Sequence, residues 1–367
     1  MDAYDYGLPE EAIAQEPVEP RSAARLLVSP RLTRDGRPGH LTMDALPSLL
    51  REGDVVVVNE TRVLPARLHL VKASGGEAEV LLLEPRDPAG GTWEALVRPG
   101  RRLRPGTALF ERPDLSSRSG GPGPVPGDGA RPVLEVGERL DGDGDGDGDG
   151  GRRSVRLLDP SVVDRAGSMP LPPYIHRPLP DPERYQTVFA AERPAGERSA
   201  AAPTAGLHFT PELLARCRRT GATVATVDLA IGLDTFRPVT AATPSGHVIH
   251  TERYSVPEET IAACSGARRV IAIGTTAVRA LESVAATGRR EGRTDLYIHG
   301  PYPFRVVDLL VTNFHLPRSS LLLLVESFGG PEWRELYATA LAERYRFLSF
   351  GDAMVTARLG PKLPPAW

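Results

Sequence analysis

The chain has 367 residues, Cys 2 and a formal net charge of -3. That length suggests two domains with a core that needs neither metal nor disulfide, and the charge is unlike that of a protein coating nucleic acid non-specifically, although Arg98, Arg101, Arg102 and Arg104 form a local basic cluster. No apolar run is long enough to span a bilayer, the acidic start MDAYDYGLPEEA lacks a signal-peptide pattern, and the isolated Cys217 and Cys264 point to a reducing cytoplasm.

Leu8-Pro9 introduces a short helix with Glu10 and Glu11 in its first turn. Arg21, Ser22 and Arg25 precede the apolar Leu26–Val28 and read equally as a phosphate clamp or a surface salt-bridge cluster. The run Val55–Val58 predicts a strand buried on both faces. Asn59, Glu60, Thr61 and Arg62 follow at its end, where α/β folds place ligand chemistry. Arg62 can grip a carboxylate or phosphate in two places, or pair with Glu60 or another carboxylate. From Arg67 to about Leu158, alternating segments such as Ala78–Leu83 and Trp93–Val97 predict short antiparallel strands. Within them Arg112–Gly151, dense in Pro, Gly and Asp, reads as a disordered loop. Its formal GxGxxG (Gly146, Gly148, Gly151) and the aspartates Asp143, Asp145 and Asp147 are accidents of a repeat.

In Ala200–Thr210, small residues run into Pro203, Thr204, Ala205 and Gly206, with His208 between Leu207 and Phe209. Thr210 caps and Pro211 opens a helix that Gly221 stops. An anion or nucleotide site fits this stretch, and so does a tight turn around a packed histidine. Thr223–Phe236 is a strand running into a loop with Thr235 and Arg237. His247, His250 and Glu252 are too few for a metal site and suit hydrogen bonding at a strand entrance. Val270–Ser283 reads strand, turn, helix: Gly274 makes the turn, Thr275 or Thr276 caps, and Arg279 and Glu282 lie about one turn apart. Val306–Val311 predicts a strand burying Asp308, which should be paired or functional. Thr312, Asn313, His315 and Pro317 follow; Leu321–Val325 reads as a buried strand, and Trp333–Phe347 as an amphipathic helix.

Taken together, PTAGLHF (203–209), GDVVVVNETRVLPARL (53–68), GSMPLPPYIHR (167–177), VIAIGTTAVRALES (270–283) and TNFHLP (312–317) resemble the S-adenosylmethionine:tRNA ribosyltransferase-isomerase family of queuosine biosynthesis. The resemblance runs from Tyr6 to Met354, broken by one insertion. It implies an α/β main domain of residues 1–66 plus 159–367, with a small antiparallel β-barrel domain inserted at 67–158 and carrying the 112–151 loop. It also implies ribosyl transfer and isomerisation from S-adenosylmethionine onto 7-aminomethyl-7-deazaguanine at the tRNA wobble position, giving epoxyqueuosine and releasing adenine and methionine. His208 and His315 become the expected acid/base pair, Asp308 an orienting carboxylate, and Arg62 and Arg279 anchors. Asn59, Thr61, Thr204, Ala205, Gly206, Phe209, Thr235, Arg237, His250, Glu252, Gly274, Thr275, Thr276 and Asn313 are the further substrate-binding expectations. S-adenosylmethionine enters as substrate with no metal or other cofactor, tRNA is the partner, no membrane is involved, and a cytoplasmic monomer is expected. Departures at Ala230 (usually His), Asp234 (usually Gly) and His299–Pro301 leave open a different, small-molecule acceptor. The retained His208, Asp308, Asn313 and His315 speak against a non-catalytic relative.

Overall fold

The computed structural model describes residues 1–367 apart from 88–89, 101, 113–125, 128, 141–150, 195–197, 233–238, 248, 250 and 362–367. Contacts divide the chain into two units: Met1–Arg62 with Leu171–Glu192 and Ala201–Trp367, and Val63–Pro170 with Arg193–Ala200. In chain order the strands are β1 (Arg25–Val28), β2 (Gly39–Thr42), β3 (Asp54–Asn59), β4 (Arg67–Lys72), β5 (Glu77–Pro85), β6 (Thr92–Arg98), β7 (Ala108–Glu111), β8 (Leu134–Arg139), β9 (Gly151–Leu157), β10 (Gly167–Ser168), β11 (Thr223–Leu229), β12 (Glu252–Ser255), β13 (Arg269–Ile273), β14 (Glu291–Thr294), β15 (Leu309–Asn313) and β16 (Ala353–Ala357). The helices are α1 (Val162–Ala166), α2 (Pro211–Arg219), α3 (Glu258–Gly266), α4 (Thr275–Thr287), α5 (Ser320–Gly329) and α6 (Trp333–Ala342).

The first unit is built on a nine-stranded mixed sheet of order β14-β12-β11-β3-β13-β15-β16-β1-β2. Its middle strands β11, β3, β13 and β15 run parallel, while β16 returns antiparallel to β15. A strand presents alternate residues to opposite faces, so an unbroken apolar run feeds two cores at once. Val55, Val57, Val270 and Ala272 pack with Leu281 of α4, Leu322 of α5 and Leu336 of α6. Val56, Val58, Ile271 and Ile273 pack on the other face with Leu213 and Leu214 of α2 and with Met43 and Leu46. The valine run of β3 is thus buried along its whole length at the centre of the sheet.

The second unit is a closed, six-stranded antiparallel barrel. Its order is β4-β5-β6-β9-β8-β7, closed by pairing of β7 with β4, and β10 adds to the outside of β4. Contacts carry this unit past 67–158. Val162 and Val163 of α1 are buried, β10 pairs with β4, and Val63 bridges Ser199.

Several local expectations are corrected. The stretch 112–151 is not one loop: β8 lies inside it, with Leu134 and Val136 buried and hydrogen-bonded between β7 and β9. Its alternating LEV was masked by the surrounding Gly and Asp; 113–125, 128 and 141–150 lie outside the described residues. Leu321–Val325 is helical within α5, because Ser319 caps it by accepting from the Leu322 amide at 3.3 Å and leucine is a good helix former. The strand expected at Val306 starts at Leu309 instead, since the Arg305, Val306 and Val307 amides all donate to the buried Glu282 carboxylate at 2.8, 2.9 and 3.1 Å. The final helix stops at Ala342, with Arg344 and Leu348 at positive φ beyond it. The segment after Pro9 is a single 3-10 turn, Glu10–Ala12.

Leu134→Ala should destabilise the protein by about 2–5 kcal/mol, the usual cost of removing a fully buried leucine side chain. Urea unfolding reads this directly; a change near zero would return the segment to a loop.

Candidate active site

The site is built where β13 ends. Gly274, with φ 89 and ψ 155, turns the chain straight into α4, and its amide donates to Val311 O at 2.7 Å. Ala205 packs against it: a side chain at 274 would place its Cβ 3.6 Å from the Ala205 Cβ. Around this turn lies a cleft of about 600 Å3, part of it open to solvent. Ala202–Ala205, Ile231, Gly274–Thr276, Thr312–Leu316, Ser319, Leu321, Leu348, Ser349 and Tyr174 line it. It sits beyond the C-terminal ends of β11, β13 and β15, where parallel sheets gather ligand groups. The small-residue loop, the Gly274 turn and the segment after β15 therefore meet in one place, although 70 and 109 residues separate Thr204 from Gly274 and Asn313.

His315 is held in this cleft from several sides. Its backbone N–H donates to Tyr337 Oη at 2.9 Å, its carbonyl accepts from Tyr6 Oη, and its Nε2 lies 3.0 Å from Thr312 Oγ1. Burial lowers its pKa to about 3, so the ring is neutral at pH 7. In the tautomer whose Nε2–H donates to Thr312, the Nδ1 lone pair is left to take a proton.

His208 stands behind the cleft. Its Nε2 lies 3.3 Å from Asn313 Nδ2, which also donates to Leu348 O at 3.0 Å, while Thr204 Oγ1 reaches Asn313 Oδ1 at 3.4 Å. Burial lowers its pKa to about 4, helped by the nearby Arg346 and Arg21 guanidiniums. A neutral His208 accepting from Asn313 fixes which way the amide faces, so its route to the cleft runs through Asn313. Its other side borders a smaller cavity of about 240 Å3 that Arg21 and Arg184 also line.

The remaining expected residues are placed differently. Asp308 stands just before β15, at the strand's opposite end, paired with Arg358 at 3.1 Å and accepting from the Val270 amide at 2.9 Å. Arg62 pairs with the exposed Glu183 and Glu192 at 3.2 and 3.5 Å. Arg279 forms a buried ion pair with Glu252, whose other oxygen accepts from the Gly232 amide at 2.9 Å. Asn59 joins β3 to β11 by donating to Leu229 O at 3.0 Å and accepting from Leu229 N at 3.1 Å; Thr61 is buried beside it. Gly206 leaves room for Phe189, and Phe209 is core. Neither Thr275 nor Thr276 caps α4; Gly274 is the N-cap residue, and no side chain caps the helix. Thr235, Arg237, His250 and Asp234 lie outside the described residues.

A family model described as "Queuosine biosynthesis protein" matches residues 1–356. The chain belongs to that family. A relative from Rubrobacter xylanophilus, named S-adenosylmethionine:tRNA ribosyltransferase-isomerase, is 50% identical, the match covering 96% of each chain. One of the same name from Thermus thermophilus is 48% identical over 97% of this chain and 99% of its own. The crystal structure of S-adenosylmethionine tRNA ribosyltransferase from Thermotoga maritima matches at 35% identity and TM-score 0.50, covering 96% of this chain and 99% of that one. No helix of the described residues is long and apolar enough to cross a membrane.

At this cleft, sequence reasoning missed Tyr174, Ser319 and Ser349. Tyr174 Oη lies 2.7 Å from Ser349 Oγ, a pairing across 175 positions that no local pattern signals. The PYIHR of 173–177 was the available hint.

The two neutral histidines make stability pH-dependent. Each has a folded pKa below its unfolded value of about 6.5, so the unfolded chain binds more protons as pH falls below 6.5. Each ring then removes up to about 1.4 kcal/mol of stability per pH unit, down toward its folded pKa. Urea midpoints measured from pH 7 to 4 should fall less steeply in His315→Gln than in the parent protein; parallel slopes would mean that the ring titrates normally.

Proposed function

We propose that this chain transfers and isomerises the ribosyl part of S-adenosylmethionine onto 7-aminomethyl-7-deazaguanine at the wobble position of tRNA, releasing adenine and methionine. Near full-length likeness to relatives bearing that enzyme's name carries the reading. None of these names favours a small-molecule acceptor. The cleft supports it chemically. The sulfonium acidifies the adjacent ribose carbon, and a neutral His315 is the group proposed to take that proton. Apolar Phe314, Leu316 and Leu348 keep water from the reacting atoms, while Asn313 and the threonines offer fixed dipoles to the leaving adenine. His208, through Asn313, is a positioning residue. The adenine leaves with its glycosidic electron pair and methionine with the carbon–sulfur pair. In balance, the pair freed at the deprotonated ribose carbon closes the carbocycle, and the acceptor amine loses a proton as it forms the new carbon–nitrogen bond. The ribose ring oxygen is kept as the epoxide oxygen, and one of the two released protons goes to the departing adenine. These changes are redox-neutral, so S-adenosylmethionine is proposed to act as substrate with no redox cofactor. The enzyme is taken to work as a cytoplasmic monomer.

Incubation of the protein with S-adenosylmethionine and tRNA carrying the aminomethyl base should release adenine and methionine in equal amounts, quantified by mass spectrometry. S-adenosylhomocysteine as product would mean methyl transfer and would overturn the proposal. His315→Ala should lower kcat by roughly a hundred- to ten-thousand-fold with circular dichroism unchanged, as expected for a proton-transferring group. Full activity would make that ring structural.

A further inference from the structure

A helix begins with N–H groups that have no partner inside it, and it carries partial positive charge there. Most helices here answer this locally. Thr210 caps α2 by accepting from the Leu213 amide at 3.1 Å and Ser319 caps α5, while α1, α3 and α6 carry Asp164, Glu258 and Glu335 in their first turns. The 13-residue α4 has neither device. Its Thr275, Thr276 and Ala277 amides donate to no described residue, although all three residues are buried. A second observation stands at the same spot. The Thr276 hydroxyl, on a residue 7% exposed, has no hydrogen-bond partner among the described residues. It faces the Gly274 turn, 3.7 Å from where a Cβ at 274 would lie, and Thr276 lines the cleft.

We infer that the start of α4, with Thr276, is the subsite for the carboxylate of the methionine part of S-adenosylmethionine. The inference rests on the proposed use of that donor. Buried, unpaired donors cost free energy until an acceptor meets them. The ligand has one anionic group, its α-carboxylate. Among the described residues, the cleft lining holds no Asp, Glu, Lys or Arg, so the helix end is its source of positive potential. The same potential repels the sulfonium and keeps it away from α4, deeper along the cleft. A bare Gly274 lets the carboxylate reach the backbone amides without meeting a side chain.

Isothermal titration calorimetry with S-adenosylmethionine and its decarboxylated analogue tests this. The parent protein should bind the carboxylate-bearing ligand roughly ten- to hundredfold more tightly, the range for charge-assisted hydrogen bonds. Thr276→Val should lose most of that preference by weakening S-adenosylmethionine alone, and Thr276→Ser should keep it. Thermal stability of Thr276→Val should not fall, because the hydroxyl it removes has no protein partner. Equal binding of both ligands by the parent, or equal weakening of both by Thr276→Val, would overturn the assignment while adenine release left the ribosyl-transfer reading intact. Binding of neither ligand, with no adenine released, would remove both.

Discussion

The geometry of the cleft depends on one residue in a backbone conformation that only glycine adopts without strain. Gly274 combines φ 89 with ψ 155, a region that costs any other amino acid about 1–3 kcal/mol. Because it adopts this conformation, β13 passes into α4 with no loop between them, and its amide ties the end of β13 to β15 through Val311. The helix therefore starts at the strand ends, beside the segment that carries Asn313 and His315. Lower on the same helix, the fully buried Glu282 gathers three consecutive backbone amides and delays the start of β15 until Leu309. The turn sets where β13 ends and the carboxylate where β15 begins.

Charged side chains and the cleft are kept apart. Arg279 with Glu252, Asp308 with Arg358, and Arg269 with Asp54 are paired inside the scaffold. The cleft lining is uncharged: apolar side chains such as Phe314, Leu316 and Leu348, interspersed with hydroxyls, the Asn313 amide, the neutral His315 ring and one helix terminus. Such a lining suits a zwitterionic, sulfonium-bearing ligand, because a buried unpaired charge would be costly and would compete with the ligand's own. Neutral histidines belong to the same design, since burial that lowers their pKa also keeps a lone pair in place at pH 7.

Much of the fold was legible in the residues. The Val55–Val58 run, the Thr210-Pro211 start and the Gly274 turn each carry a local cause, and each forms as that cause requires. Leu321–Val325 misled because a short apolar run has no period that separates strand from helix; Ser319, just before it, decides. β8 was hidden by composition: three informative residues sit in a Gly- and Asp-rich neighbourhood. For the site, small residues and the VTNFH segment were readable because their chemistry is local. Asp308, Arg62 and Arg279 were not, since each is claimed by a partner 27 to 130 positions away. His208 is intermediate: the sequence marks it, and only its contact with Asn313 shows that it stands behind the cleft.

The proposed place of S-adenosylmethionine is the cleft at the start of α4. A crystal structure of the protein soaked with S-adenosylmethionine measures this most directly. Ligand density is expected between Gly274–Thr276 and His315, with the sulfonium turned away from α4. Density instead in the Arg21–Arg184 cavity, with the α4 cleft empty, would contradict it.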